Sequence, residues 1–484
     1  VIAVVASYNG IMRGLLLAVS LALAWTNPSW AQSPSARDFP LGEVIEKVEV
    51  AEDPSQSYAL YLPPNYARNQ RWPILYLFDA RGRAMVPAKV FREAAERYGY
   101  ILASSYNTAS DDAVEPDIKA IRTLWRDTHE RFPIDARRVY MAGFSGEARV
   151  AFLMADAVRG AVTGVIAVGA GFSPVSPPRE GMSIIVFGTV GNTDFNHDEM
   201  IRLDATLDDL DVVHRVEIFE GGHSWPPVDM CTEAVTWMEL HAMKSGLRSK
   251  NPSLIETLYG ARLEKAREAE LSKAVYDAYH RYLTLSQDFA GLRDIGEVEA
   301  KVATLEASKD LEVALKERQE RLERDADYLK HASDSFARLS PEDPMALGKA
   351  LGQLRIDSLK KRAADEADVE ESLSAQRCLE SVFVQTSFYV PRRLFERKDY
   401  ERAILSLSIA SRIKPESVYV WFSLARAQAL AGRTGNAVKS LERAVEAGLT
   451  DADLIKESAD LESLRDKKEF RRLIQELETM AAEK

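Results

Sequence analysis

Between about residues 40 and 247 the chain alternates short β-branched and aromatic runs with helix-length amphipathic segments, and this alternation restricts the fold more than any other feature. A strand followed by a helix returns in parallel to its neighbour, so repeated strand–helix units predict an α/β fold with a mainly parallel sheet. The expected strands are Ser57–Leu62, Pro73–Phe78, Tyr100–Ser105, Arg138–Phe144, Gly164–Val168, Ser183–Phe187 and His214–Phe219. Between them Asp111–Arg131, Gly146–Val158 and Asn196–Leu210 carry helical periodicity, and Asp229–Lys244 closes the domain. The near-continuous apolar character of Val165–Val168 and Ile184–Phe187 suits strands buried on both faces.

After about Gly246 the strand signal stops and the sequence turns helical and heavily charged. The expected parts are an α/β domain over 38–248, a charged helical region over 249–375 and helical repeats with capping helices over 376–484. Leu315, Leu322, Leu329 and Phe336 recur every seven residues, which predicts a long amphipathic helix packed on another helix of the same chain, until Pro341 and Pro344 interrupt the pattern. Further on, Ala403, Ile404, Leu407 and Ala410 line up with Ala437, Val438, Leu441 and Ala444 at a separation of 34 residues. Small Ala at such crossings lets antiparallel helices approach closely, and Pro415 and Gly448 end the second helix of each unit. The first helices match less well, with Pro391 inside one of them. Over about residues 380–450 this pattern resembles tetratricopeptide repeats, with Leu461–Leu477 as a capping helix pair. Two units cannot close their own core, so they are expected to stack on preceding helices or on the α/β domain.

At 484 residues the chain exceeds what one core supports. Its 46% apolar and 28% charged content is that of globular protein, and the formal charge of -12 argues against a nucleic-acid partner, whose phosphates need clustered Lys and Arg. Near the start, Arg13 precedes an apolar run from Leu15 to Trp25, and Ser29-Trp30-Ala31 offers small residues at the two cleavage positions. This is the pattern of an export signal over residues 1–31, removed after Ala31, with Met12 as its start. The run is shorter than the ~20 residues that span a bilayer, and no Cys stands at the cleavage point to carry lipid. The expected product is therefore exported, periplasmic or secreted, without a stable membrane span. Cys231 and Cys378 are too few for a disulfide scaffold and have the wrong spacing for zinc. They are read as two buried thiols or, in an oxidising compartment, as a bridge between domains.

The chemistry is concentrated where Val139–Phe144 runs into Ser145 and Gly146 and then into the helical stretch Ala148–Met154. Such a strand–turn–helix junction is what a nucleophile elbow requires, with Gly143 and Gly146 keeping the turn free of clashes. Glu147 replaces the last glycine of the usual G-x-S-x-G pattern. Downstream, the last expected strand leads into Glu220-Gly221-Gly222-His223-Ser224-Trp225-Pro226-Pro227, and of seven histidines only His223 follows a terminal strand in a loop. The preceding strand leads into Gly188–Asn196, which supplies Asp194. In this reading His223 takes the proton of Ser145 and later protonates the leaving group, while Asp194 fixes the imidazole tautomer. Asp198 and Glu199 are rivals for the acid, disfavoured because they begin the next helix and serve its dipole. Two backbone donors are needed for the oxyanion. Gly146 is one, and Ala80 or Arg81, in the loop after the third strand, is the other. The Arg81 side chain is expected in a structural ion pair, with an anionic substrate group as the alternative partner.

No histidine pair has metal-ligand spacing, and the glycine turns Gly169–Gly171 and Gly188–Gly191 lack the spacing of nucleotide loops, so no metal or organic cofactor is expected. The segment from about 38 to 247 resembles the esterase branch of the α/β-hydrolase superfamily, of the putative esterase, polyhydroxyalkanoate depolymerase and feruloyl esterase kind. The resemblance rests on Tyr58–Tyr66, Pro73–Asp79, Ala142–Gly146, Asp194-Phe195-Asn196 and Gly221–Pro226, and covers a little under half the chain. It implies hydrolysis of carboxylic esters without a cofactor. A peptidase of the same fold would use the same triad, and a non-catalytic scaffold would instead bind a protein or peptide partner through the helical repeats.

Overall fold

The computed structural model describes residues 39–110, 114–338 and 345–482. The expected export signal, the first residues of the helix expected from Asp111, and Pro341 and Pro344 lie outside the described residues. Two compact units divide the chain between Arg318 and Gln319, within the helix Lys309–Arg338. No described helix is long and apolar enough to cross a membrane.

The first unit is built on eight strands: β1 (Val44–Glu49), β2 (Ser57–Tyr61), β3 (Trp72–Phe78), β4 (Ile101–Ser105), β5 (Ile134–Phe144), β6 (Gly164–Val168), β7 (Ile185–Gly191) and β8 (His214–Phe219). They form one sheet in the order β1-β2-β4-β3-β5-β6-β7-β8. β1 and β2 pair antiparallel, as do β2 and β4, and every other pairing is parallel. This is the α/β-hydrolase fold, followed by a helical C-terminal region. All seven expected strands are present. β1 joins them at the edge, and β7 runs on through Gly188–Gly191, where the glycines suggest a turn.

Period-2 alternation divides each central strand between two cores. Ile74, Tyr76, Phe78 and Met141 pack with the helices Glu115–Arg131, Gly146–Ala157 and His197–Asp209. Leu75, Leu77, Tyr140 and Ala142 face the helices Met85–Tyr98 and Val228–Lys244 on the other side. At about 1.5–3 kcal/mol per large apolar side chain buried, covering both faces is what stabilises a sheet this apolar.

The unit does not end with the strands. The helices Pro252–Leu271, Val275–Phe289 and Gly296–Glu306 follow, and Ile255, Tyr259, Tyr282 and Phe289 share a core with Leu240 and Met243 of the helix Val228–Lys244. A half-buried ion network around the buried Asp288 accompanies that core. Arg215 of β8 reaches Glu217 at 2.6 Å, Asp288 at 2.6 Å and Glu233 at 3.0 Å, and Arg262 pairs with the same Asp288 and Glu233.

On the long helix, Leu315 of the expected seam is exposed, whereas Leu322, Leu329 and Phe336 are half-buried, Phe336 against the core of Ala350, Leu354 and Val382. Its buried positions, among the described residues, are Leu311, Asp325, Ala332 and Ser335, and Asp325 accepts from Ser374 and Arg377 of the helix Val369–Val384. The two quartets Ala403, Ile404, Leu407, Ala410 and Ala437, Val438, Leu441, Ala444 are all buried, on the helices Tyr400–Ile413 and Thr434–Glu446. Pro391 lies inside a continuous helical stretch, directly after a π-helical turn over Gln385–Tyr389 that joins the helix Val369–Val384 to the helix Val390–Glu396, so its missing N–H falls where the regular bonding is already interrupted. Cys231 and Cys378 are both buried and free.

A chain cut after residue 248 exposes Leu240 and Met243 and strips Arg215 and Glu233 of Asp288 and Arg262. A fragment of residues 39–248 is expected to unfold at a clearly lower urea midpoint than one of residues 39–318. Equal midpoints would show that the three helices contribute nothing to the sheet.

Candidate active site

The helix Gly146–Ala157 starts directly where β5 ends, and the single residue between them, Ser145, has φ 59° and ψ −125°. For a residue with a Cβ this costs about 1–3 kcal/mol, and it turns the hydroxyl up from the strand end. The crowding falls on Gly143, where a Cβ would lie 2.2 Å from the backbone oxygen of Glu147. Glu147 itself is fully buried, with the Ser110 hydroxyl 3.4 Å from Oε1. The elbow thus closes without the final glycine of the usual pattern, because the close approach is backbone to Gly143.

Ser145 and His223 lie 78 positions apart in sequence and meet at 2.9 Å between Oγ and Nε2. On the other side of the ring, Nδ1 stands 2.8 Å from Oδ2 and 3.0 Å from Oδ1 of Asp194, whose side chain is buried. With Nδ1–H donating to the carboxylate, Nε2 presents its lone pair to the serine hydroxyl. The rivals stand elsewhere. Asp198 pairs with Arg202 along its own helix, and Glu199 pairs with Arg149 at 2.7 Å and accepts from the Gly171 N–H at 2.9 Å.

Several groups hold this arrangement that the sequence reading missed. The Asn196 N–H donates to Asp194 Oδ1 at 2.8 Å, and its side-chain amide donates to the Gly169 carbonyl at 2.7 Å. Gly169 has φ +64°, and a Cβ there would press within 3.2 Å of both Asp194 Oδ2 and His223 Cε1. Phe144 and Phe195 stack obliquely on the imidazole, at 4.7 and 4.3 Å between ring centres. Asp79 is fully buried at the end of β3 and accepts from the Trp225 indole at 2.8 Å. The one signal for it in the sequence is an acid placed directly after the apolar run Ile74–Phe78.

Of the proposed oxyanion donors, Gly146 opens the helix after Ser145, where N–H groups have no intrahelical partner. The Arg81 N–H is committed to Asp79 Oδ1 at 2.9 Å, which removes Arg81 from the candidates and leaves Ala80. Phe78 pairs with Gly143, so Ala80 and Ser145 each stand two residues past the same level of adjacent strands. The Arg81 side chain is exposed and, among the described residues, makes no ion pair.

Among the described residues one group has atoms close enough to hold a metal: Asp204, Asp208 and His214. It lies at the start of β8, the far end of that strand from the loop of His223. His214 Nδ1 is 2.7 Å from the Val212 carbonyl and Nε2 is 3.2 Å from Asp204, so an imidazolium satisfies both sides. Burial alone would lower its pKa, but the bond to Asp204, the Val212 carbonyl and the nearby Asp208 outweigh burial and raise it.

No family model matches the chain, and no curated protein does. Solved structures similar to it include a ferulic acid esterase, 15% identical with a TM-score of 0.34, over 40% of this chain and 95% of that one. Another is an s-formylglutathione hydrolase from Staphylococcus aureus, 14% identical with a TM-score of 0.31, over 38% and 90%. A third is a hyperthermophilic esterase from the archaeon Pyrobaculum calidifontis, 16% identical with a TM-score of 0.33, over 50% and 94%.

Because folding raises the pKa of His214, its contribution to stability is complete below the unfolded imidazole value and is lost as pH rises through the folded value. The stability difference between wild type and His214→Gln is expected to shrink on going alkaline, read as urea midpoints across pH. A difference that grows with pH would show that the neutral ring is the stabilising form.

Proposed function

We propose that this protein is a serine hydrolase that cleaves carboxylic esters through an acyl-enzyme on Ser145. The observation that carries the reading is the unbroken relay Ser145 Oγ, His223 and Asp194, with 2.9 and 2.8 Å contacts and a buried carboxylate at its end. In the first step His223 Nε2 takes the serine proton as Oγ attacks the ester carbonyl. The Gly146 and Ala80 N–H groups receive the oxyanion, and the imidazolium returns its proton to the departing alkoxide. Water then repeats the sequence on the acyl-enzyme, releasing the acid and restoring Ser145. Asp194 stabilises the imidazolium at both stages, and no step calls for a metal.

The preference for esters over amides rests on the esterase resemblance of the segment 38–247. The buried quartets 34 residues apart support tetratricopeptide-like repeats, with a protein or peptide as their partner. The pattern Arg13–Ala31 supports export to the periplasm or beyond.

A fluorophosphonate is expected to label Ser145 and no other residue, with peptide mapping as the readout; label on another serine, or none on folded protein, rejects the reading. Ser145→Ala should abolish hydrolysis of p-nitrophenyl acetate, and Asp194→Asn should lower turnover on the order of 10⁴-fold, as tautomer disruption does in model triads. Turnover should fall on acidification, since a protonated His223 cannot accept the serine proton, and a chelator should leave it unchanged. Activity lost in chelator and restored by zinc would contradict the mechanism.

A further inference from the structure

The transition state requires the oxyanion donor of one loop and the imidazole of another within hydrogen-bond reach of the same carbonyl carbon. The donor loop follows β3 and the base loop follows β8, and these strands are separated in the sheet by β5, β6 and β7. Four strand spacings amount to ~19 Å, so the sheet register alone does not fix how the two loops meet above its edge.

Asp79 spans that gap. Its Oδ1 accepts from the Arg81 N–H at 2.9 Å, the Arg83 N–H at 3.1 Å and Arg83 Nε at 2.9 Å, so the donor loop folds around it. Its Oδ2 accepts from a terminal nitrogen of Arg83 at 3.0 Å and from the Trp225 indole at 2.8 Å. Trp225 stands two residues past His223, and its ring lies edge-on to Phe91 and 5.7 Å from Phe144. Phe144 in turn packs on the imidazole and precedes Ser145 in the chain. Burial would raise the Asp79 pKa, but Arg83, the Trp225 indole and the two backbone N–H groups hold it below the usual carboxylate range. An ionised carboxylate is also the one side chain of this size that accepts on both oxygens, whereas an amide would turn donors toward Arg83 or Trp225.

We propose that Asp79 is a positioning residue: through the Trp225 indole it couples the loop that offers the Ala80 N–H to the loop that carries His223, and so sets the separation between oxyanion donor and base. This deepens the hydrolase reading and rests on it. Asp79 touches no reacting atom, and its effect falls on the rate of acylation rather than on substrate binding.

The test compares Asp79→Asn, Trp225→Phe and the double variant with wild type, using p-nitrophenyl acetate turnover and the rate of Ser145 phosphonylation per folded molecule. Each single variant is expected to lower kcat and the phosphonylation rate roughly 10- to 100-fold with KM little changed, the scale of a small misplacement of reacting groups. The double variant should be no slower than the slower single, because both cut the same link. A purely structural Asp79 would lower the urea midpoint and leave the rate per folded molecule intact. Trp225→Phe keeps the ring packing and the Asp79–Arg83 pair, so it carries the test if Asp79→Asn does not fold. A Trp225→Phe rate within twofold of wild type, or multiplicative effects in the double variant, overturns the proposal. The nitrogen resonances of the His223 imidazole give a readout independent of activity. If wild type fails to react with the phosphonate, the hydrolase reading falls by itself. Resonances unmoved in both variants then overturn the coupling, and resonances shifted in both uphold it.

Discussion

Everything at the site depends on parallel pairing in register. Phe144 pairs with Val168, Val168 with Thr189, and Thr189 with Glu217, so β5 to β8 cross one line and release their chains on the same edge of the sheet. Ser145 leaves that line after one residue, Asp194 after five and His223 after six. Parallel strands need a crossover connection rather than a hairpin, here a helix or, between β6 and β7, the segment 169–184, which leaves the edge clear of direct hairpins and open to functional loops. The price is local strain at Ser145, held in place by its N–H bond to the Val168 carbonyl at 2.8 Å and by the helix that follows.

Loops released at one edge still have to be fixed against one another, and here two kinds of bond do so. The acid and base loops are joined by backbone. The Asn192 N–H donates to the Phe219 carbonyl at 2.8 Å, and the Thr193 N–H and hydroxyl both donate to the Gly221 carbonyl, at 3.0 and 2.9 Å. The Asn192 side chain accepts the Gly221 N–H in return. These neighbours sit on adjacent strands, so backbone reach suffices. The donor loop lies four strands away, where only long side chains can make the connection, and the bond from Asp79 to Trp225 is of that kind.

Much of this was legible in the sequence because burial writes itself as composition. Central strands covered on both faces become apolar runs, and all seven such runs are strands. β1 escaped because it is an edge strand: of its six residues only Val48 is buried, so no run marks it. The extension of β7 escaped for the opposite reason. Gly188 looks like a turn, yet it lies inside the strand because Met200 and Val216 approach to 2.9 Å of where its Cβ would be. Ser145, Asp194 and His223, whose side chains meet in the structure, are marked in the sequence by their order and their places after strands. Asp79, Asn196 and Gly169 had no such mark, since their roles are defined by partners 27 to 146 positions away or by space that only the folded loops enclose.

The heptad of Leu315, Leu322, Leu329 and Phe336 shows the limit of periodicity: it announces a helix and three of its positions are half-buried, but the fully buried Leu311, Asp325 and Ala332 lie one turn before members of the row. The end of the strand signal at Gly246 is a similar case. It marks where the sheet stops, whereas the unit ends where shared burial stops, and the helices Pro252–Leu271 and Val275–Phe289 continue the core begun by Leu240 and Met243. Their tie to the chemistry runs along β8. At its start Arg215 is clamped by Asp288 and Glu233, and at its end Phe219 opens the loop of His223. The helices after the sheet therefore share in anchoring the start of β8, while the loop of His223 leaves its other end.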